Sequence, residues 1–320
     1  MFEAMKYVYQ VYLESSFSKA AKNLYISQPS LSACIKKEEE RLGVKLFNRN
    51  TSPVQLTPPG EAYIESIKKI MEIEDDFQSY IYDFQNLNKG SISIGANNIY
   101  TSFLLPQIIK EYHHYYPNIQ ITISEGNTST DIRNAIEKNM TDIALDNFPF
   151  EDDAFGKYLL FKETLFLIIP KDFNINHKLE KYQIDYEDII SNKKNLPALD
   201  PNSFPLFNEL PFIGLKKGSD NRKRFDTVMN RYAINANIEF ELDQSPSAYY
   251  IAGSGLGATF TSSTFLKNIR HHEHLCFYHV DEPEFHRNVY IYTKKNKYLS
   301  KSITEFFRIA SMSDTIKSCS

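Results

Sequence analysis

Residues 15–60 read SSFSKAAKNLYISQPSLSACIKKEEERLGVKLFNRNTSPVQLTPPG, two short helical patterns that meet at a tight turn. Ser18 is the expected N-cap of the first, which carries Ala20, Ala21 and Leu24 inward at helical spacing. Tyr25-Ile26-Ser27 forms the turn, and Ser27 caps a second helix expected to run to about Arg41 with Leu31, Ile35 and Leu42 buried. Pro29 suits the first turn, where its missing N–H would be an orphan anyway. Gly43 ends the helix as a residue tolerant of positive φ. Leu46-Phe47-Asn48 and Val54-Gln55-Leu56 then read as two short strands around the tip Arg49-Asn50-Thr51-Ser52-Pro53. The expectation is a winged helix-turn-helix over residues 1–60, whose second helix is shaped to enter a DNA major groove.

On that helix Gln28, Pro29, Ser30, Ser32, Ala33 and Lys36 occupy the exposed face and first turns. The Gln28 amide can pair with an adenine edge, and Ser30 or Ser32 with bases or phosphates. Lys36, Lys37 and Arg49 are expected on phosphates, which position without specifying. Charge agrees locally. Residues 1–60 carry Lys6, Lys19, Lys22, Lys36, Lys37, Arg41, Lys45 and Arg49 against Glu3, Glu14, Glu38, Glu39 and Glu40, whereas the whole chain has a net charge of −4. A basic end on an acidic remainder argues against nucleic-acid binding along the entire chain.

Working outward, Met1 to Glu14 is expected to be a scaffold helix that packs through Phe2, Met5, Tyr9, Tyr12 and Leu13. After Pro58-Pro59-Gly60, residues 61–88 contain neither Pro nor Gly, enough for a helix of about 40 Å. Tyr63, Ile67, Ile70, Phe77, Ile81 and Phe84 recur at spacings of three and four, interrupted once at Glu74, the pattern of a coiled-coil seam. Lys89-Gly90 closes this linker segment, 61–89. Beyond it, residues 90–310 alternate strands and helices: Ser91–Ile94, Ile119–Ile123 and Asp142–Leu145 are strands, with helices from Phe103 to Tyr115 and from Thr130 to Lys138. That alternation predicts βαβ units and a parallel sheet. Thr164–Ile169, Phe212–Leu215, Ile238–Glu241 and Ala258–Phe260 supply a second subdomain, with helices at 221–231 and 248–252. The chain returns through Asn288–Thr293 and a last helix, Ser302–Ala310. Subdomain I is therefore expected at about 90–160 plus 265–310 and subdomain II at about 161–264, with crossings near 161 and 264 that make a hinge around a cleft. Residues 171–211 carry no readable pattern.

SFSKAAKNLYISQPSLS, ERLGVKLFNR and LTPPGE resemble, without gaps over about fifty residues, the DNA-binding domain of the LysR-type transcriptional regulators. ISIGANNIYTSFLLP, YPNIQITISEGNT and DIAL resemble the effector-binding domain of the same family, which shares the fold of periplasmic binding proteins. Ala33 departs from the basic or polar reader of many members, Glu38 from the common Leu, and Ile99 from a polar Thr or Ser. The resemblance implies an α+β multi-domain chain, a linker helix that dimerises, tetramers in many members, double-stranded operator DNA and a small-molecule effector as partners, and RNA polymerase as a further candidate partner. The residues themselves point to no membrane, cofactor or metal.

The strand-end segments Asn97-Asn98-Ile99-Tyr100-Thr101-Ser102, Asn127-Thr128, Gly218-Ser219 and Gln244-Ser245 share one chemistry. Hydroxyls, amides and helix N-termini facing a crevice suit a small polar or anionic effector. The competing role for each Ser and Thr is helix capping. Gly253-Ser254-Gly255-Leu256-Gly257 follows a helix, which is the wrong context for a dinucleotide loop. His271-His272-Glu273-His274 reads as a solvated loop, and Cys34 as a small buried residue before a redox handle. Three scattered cysteines and an acidic start without a basic leader fit a cytoplasmic protein, and apolar runs such as Leu165–Ile169 are too short to span a bilayer. No catalytic constellation stands out. A DNA-binding or architectural protein with a vestigial cleft is the alternative, and an enzyme carrying a regulatory head a more distant one.

Overall fold

The computed structural model describes residues 2–49, 51, 53–84, 90–126, 128–150, 153–295 and 297–319. Asn50, Ser52, Lys89, Asn127, residues 85–88 and the side chains of Phe2 and Phe84, all named above, lie outside the described residues. Two compact units divide the chain, Met1–Gln78 and Ser79–Ser320.

In the first unit, α1 (Phe2–Glu14) turns Val8 and Val11 fully inward. The expected face is thus displaced: Met5, Tyr9 and Tyr12 pack at its edges and Leu13 is exposed. Helix α2 (Phe17–Asn23) starts two residues earlier than expected, since Ser16, not Ser18, accepts the Lys19 N–H. Helix α3 (Gln28–Leu42) follows its reading closely: Ser27 Oγ accepts the Ser30 N–H at 3.2 Å, and Gly43 closes the helix at φ 73°. Leu31 and Ile35 pack against Ala20 and Ala21, while Leu42 is only partly buried. Strands β1 (Phe47–Asn48) and β2 (Gln55–Leu56) pair antiparallel as the wing. Helix α4 (Pro58–Phe84) begins three residues before the expected Glu61, at the Thr57 hydroxyl, which accepts the Gly60 N–H. A β-carbon at Gly60 would collide with the Leu46 carbonyl, so glycine lets this helix sit directly on the wing.

Two members of the expected seam are used inside their own unit. Ile67 is 3 % exposed and lies in the core with Ile64, and Tyr63 donates to Glu38 Oε1 at 2.6 Å. Further along α4, Ile73, Phe77, Tyr80 and Ile81 are exposed. Ile73 and Tyr80 bridge the interruption at Glu74, so the open apolar stripe starts later than read and is more continuous.

In the second unit, β3 (Gly90–Ala96), α5 (Leu105–Tyr115), β4 (Ile119–Glu125), α6 (Ser129–Glu137) and β5 (Ile143–Asp146) build the parallel βαβαβ arrangement, strand order β4-β3-β5. Asn97–Ser102 is not a loop. Helix begins at Asn98, and Tyr100–Leu104 forms a π-helical turn running into α5. The single strand β6 (Phe155–Pro170) serves both lobes: its first half pairs with β12 (His286–Lys294), its second with β10 (Thr259–Ser262) and β11 (Leu275–His279). Segment 171–211 supplies α7 (Ile175–Leu179), β7 (Gln183–Ile184), α8 (Tyr186–Ile190) and a 3-10 turn at Pro201–Glu209. Parallel strands β8 (Pro211–Leu215) and β9 (Asn237–Leu242) flank α9 (Asp220–Arg231); α10 (Ser245–Gly253) and α11 (Ser263–Leu266) complete lobe II. Because β11 pairs with β6 and β7, lobe II extends past residue 264, and the return crossing falls at the turn Pro283–Phe285 into β12. Helices α12 (Lys301–Met312) and α13 (Asp314–Cys319) cover lobe I, where Ile316 joins the core with Ile92, Tyr112 and Phe306. The chain therefore packs beyond the expected end at 310.

Candidate functional site

On α3, Gln28, Pro29, Ser30, Ala33 and Lys36 are exposed, as a groove-reading face requires. Two hydroxyls are already engaged: Ser30 Oγ lies 2.8 Å from Ser27 Oγ, and Ser32 Oγ accepts from Arg49 Nη1 at 2.9 Å. Arg49 also reaches Glu39 Oε2 at 3.2 Å and lies over the Phe17 ring. Arg49 therefore ties the wing to the reading helix while a third of its side chain remains exposed. Glu39, buried, accepts the Leu46 and Phe47 N–H groups and fixes where the wing leaves α3. Glu38 is buried too, and the Arg41 guanidinium lowers its carboxyl to about 2. A charged residue replaces Leu there because Arg41 and Tyr63 satisfy it. Lys37 borders a groove between α1 and α3 together with Tyr7, Arg41 and Cys34. Cys34 is exposed, which corrects its reading as a buried residue. Tyr25, 97 % exposed in the turn at φ 55°, is a surface ring that helical spacing did not single out.

The second site lies between the lobes of unit 2, a cavity of about 80 Å³. Space on that scale admits a few waters or a small metabolite. Of the residues read as effector-binding, Asn97, Asn98, Ile99, Thr128, Ser219, Gln244 and Ser245 line it. Tyr100, Thr101, Ser102 and Gly218 do not. The π-turn drives Tyr100 into the core at 0 % exposure, where its hydroxyl donates to Glu163 Oε1 at 2.7 Å. It turns Thr101 toward Glu125, at 3.0 Å. Capping accounts for several lining hydroxyls. Thr128 forms a capping box with Asp131, Ser219 accepts the Arg222 N–H, and Ser245 pairs with Thr261. The lining polar groups of greater consequence are ones that spacing did not disclose: Asp146, Asn147, Asp220, Asn221 and Arg287.

Arg287 is buried, and two of its guanidinium nitrogens are engaged. Nε donates to Glu163 Oε1 at 2.7 Å, and Nη1 to Asp220 at 3.0 Å and to Asn221. Glu163 is touched from both lobes, by Tyr100 and by the Thr264 hydroxyl at 2.5 Å. Asp146, 1 % exposed, accepts the Asn147 and Phe148 N–H groups through Oδ1 at 2.7 and 3.2 Å, while Oδ2 has no hydrogen-bond partner. Burial raises its carboxyl to about 6, although the nearby Ser129 hydroxyl, which does not reach hydrogen-bonding geometry at Oδ2, acts to lower it. A lone Glu within FKETLFL and a lone Arg opening the RNVYIY strand were visible in sequence, but nothing there shows that they meet.

Two lobes on crossing strands, with ligand-sized space at strand ends, following an N-terminal winged helix-turn-helix in the chain: this defines a DNA-binding regulator with a small-molecule domain. The chain matches the bacterial regulatory helix-turn-helix of the lysR family over residues 2–61 and the LysR substrate binding domain over residues 85–312. It belongs to the LysR family of transcriptional regulators. Its relatives include a probable RuBisCO transcriptional regulator of Cyanidium caldarium, 28% identical over 92% of this chain and 88% of that one. Another is the uncharacterized HTH-type regulator YcgK of Bacillus subtilis, 27% identical over 80% and 78%. The fold is that of full-length OxyR from Pseudomonas aeruginosa (TM-score 0.68, 21% identity, 100% of this chain and 95% of that one). Full-length CbnR complexed with its target DNA shares it (TM-score 0.61, 16% identity, 98% and 99%). So does the Synechocystis CcmR regulatory domain in complex with 2-PG (TM-score 0.56, 19% identity, 70% and 97%). Among the described residues no helix is long and apolar enough to cross a membrane.

Proposed function

We propose that this regulator binds operator DNA as a homo-oligomer through the α3 face and wing, and that a small polar ligand carrying a hydrogen-bond donor sets its activity by closing the lobes. The observation that carries the ligand class is Asp146, a buried carboxylate at the cleft whose Oδ2 has no partner. A buried charge left partly unsatisfied is costly, and an ammonium, hydroxyl or amide N–H from a ligand relieves it. The charge inventory favours a polar ligand over an anionic one. Among the described lining residues Asp146, Asp220 and Asp243 face one cation, Arg287, which Glu163 and Asp220 already neutralise. Closure biases DNA binding to the extent that the ligand prefers one lobe geometry.

A thermal-shift screen of amino acids, amines, polyols and carboxylates on the full chain tests this. Donor-bearing compounds should raise the Tm of the wild type and not of Asp146→Asn. Stabilisation by dianions alone, unchanged in that variant, would overturn the ligand class. Oligomerisation rests on the exposed stripe Ile73–Phe77–Tyr80, which suits a second copy of α4. Phe77→Glu should convert the oligomer to monomer by light scattering and weaken binding to a two-half-site operator; an unchanged assembly would refute the seam.

A further inference from the structure

We propose a divalent transition-metal site, formed by His279, Asp281 and His286, on the strand crossing between the two lobes. One ligand atom from each residue lies within 4.8 Å of the others. The sheet register puts the imidazoles together. On β6, Thr164 and Phe166 are two apart and share a face. Antiparallel pairing sets His279 of β11 opposite Phe166, and His286 of β12 opposite Thr164, so both rings stand on that same face. Their centroids are 5.4 Å apart. Asp281 comes from the connection between the two strands, and its Oδ1 lies 3.0 Å from His286 Nε2.

The surroundings are those of ligating imidazoles, whose second nitrogen is normally held by a hydrogen bond. His286 Nδ1 lies 3.2 Å from Thr164 Oγ1, which fixes the ring with Nε2 toward Asp281. His279 Nδ1 is buried without a partner, while the Leu196 backbone carbonyl engages its ring. A tetrahedral cation about 2.0–2.1 Å from each donor needs the three atoms about 3.4 Å apart. The exposed side chains of Asp281 and His286 can close that distance by rotamer change. Two imidazoles and one carboxylate select Zn²⁺, Co²⁺ or Ni²⁺ over Mg²⁺ or Ca²⁺, which prefer all-oxygen shells. A bound ion would clip the end of β11 to the start of β12, where the chain re-enters lobe I, and so stiffen the crossing on which the lobes move.

The test titrates the full-length protein with Zn²⁺ and with Mg²⁺, reading calorimetry and Tm, and with Co²⁺, reading its visible absorption. One Zn²⁺ should bind per chain and raise Tm, Mg²⁺ should do neither, and His279→Gln/His286→Gln should lose the Zn²⁺ effect and the Co²⁺ bands. Asp281→Asn, at an exposed position that does not threaten folding, should weaken binding, and Thr164→Val should weaken it by roughly 10–100-fold. His271→Gln/His274→Gln controls for the other histidine cluster and should bind as wild type. The site is refuted if wild-type protein takes up no Zn²⁺, or if the His279/His286 variant keeps it while the His271/His274 variant loses it.

Discussion

The reading head and the cleft between the lobes do their chemistry from opposite positions in the fold. In the head the groups offered to DNA are exposed and close in sequence: Gln28, Ala33 and Lys36 stand on one helix, steadied beneath by Glu38 and Glu39. In the cleft the decisive charges are withdrawn from solvent and far apart in sequence: buried Asp146, Glu163 and Arg287 and half-buried Asp220 come from three strands and a helix start. An exposed reader is nearly independent of its neighbours, because water screens it. A buried charge is defined by its neighbours, because without them it would not remain charged. Mutations in the two regions should therefore differ in kind as well as in size.

The largest effect should come from Glu163→Ala, which leaves the buried Arg287 with Asp220 as its remaining counter-charge among the described residues and deprives the Tyr100 and Thr264 hydroxyls of their acceptor. Loss of one partner of a buried pair costs about 3–5 kcal/mol. Chemical denaturation should show that loss in a fragment spanning residues 79–320, while residues 1–78 melt as before. A loss below 1 kcal/mol would mean that the network adds little to the fold.

Next comes Asp146→Asn, with the opposite sign. Burial raises the native carboxyl to about 6 from 3.8. Between those values the native state binds more protons than the unfolded one, so stability falls as pH rises through that window, and the full penalty is present above about pH 6. Asparagine removes the charge and keeps an oxygen for the Asn147 and Phe148 N–H groups. At pH 7.5 it should stabilise the ligand-free protein by about 2–3 kcal/mol, and at pH 3.5 the gain should vanish. A gain that is constant with pH would show that Asp146 is not the group responsible. The pairing of higher stability with a lost ligand response would mark Asp146 as a residue kept for binding.

The smallest effect belongs to the head. Gln28→Ala should leave stability within about 0.5 kcal/mol and cost about 1–3 kcal/mol of discrimination at one base pair, measured by competition at fixed salt. Equal weakening on all sequences would place Gln28 on a phosphate, and the contrast between the regions would then rest on affinity alone.

Sequence by itself determined what is local and periodic. The capping of α3 by Ser27, its end at Gly43, the wing pairing and the βαβαβ run from Gly90 to Asp146 follow from steric preference, backbone bonding and hydrophobic period over a few residues. The strand ends that bring Asn97, Asn98, Thr128, Ser219, Gln244 and Ser245 to the cleft belong to the same class. Tertiary structure alone decided which side chains face one another. Tyr100 and Thr101 are equally polar in a sequence window, yet a π-helical turn buries the first and aims the second at Glu125. Ile67 and Phe77 share one helical repeat, yet only Phe77 is left open once the head's core has formed. The Glu163–Arg287 pair joins residues 124 positions apart. Such pairs are invisible to periodicity because burial and electrostatic partnership depend on distances through space, and those exist only after the sheet is assembled.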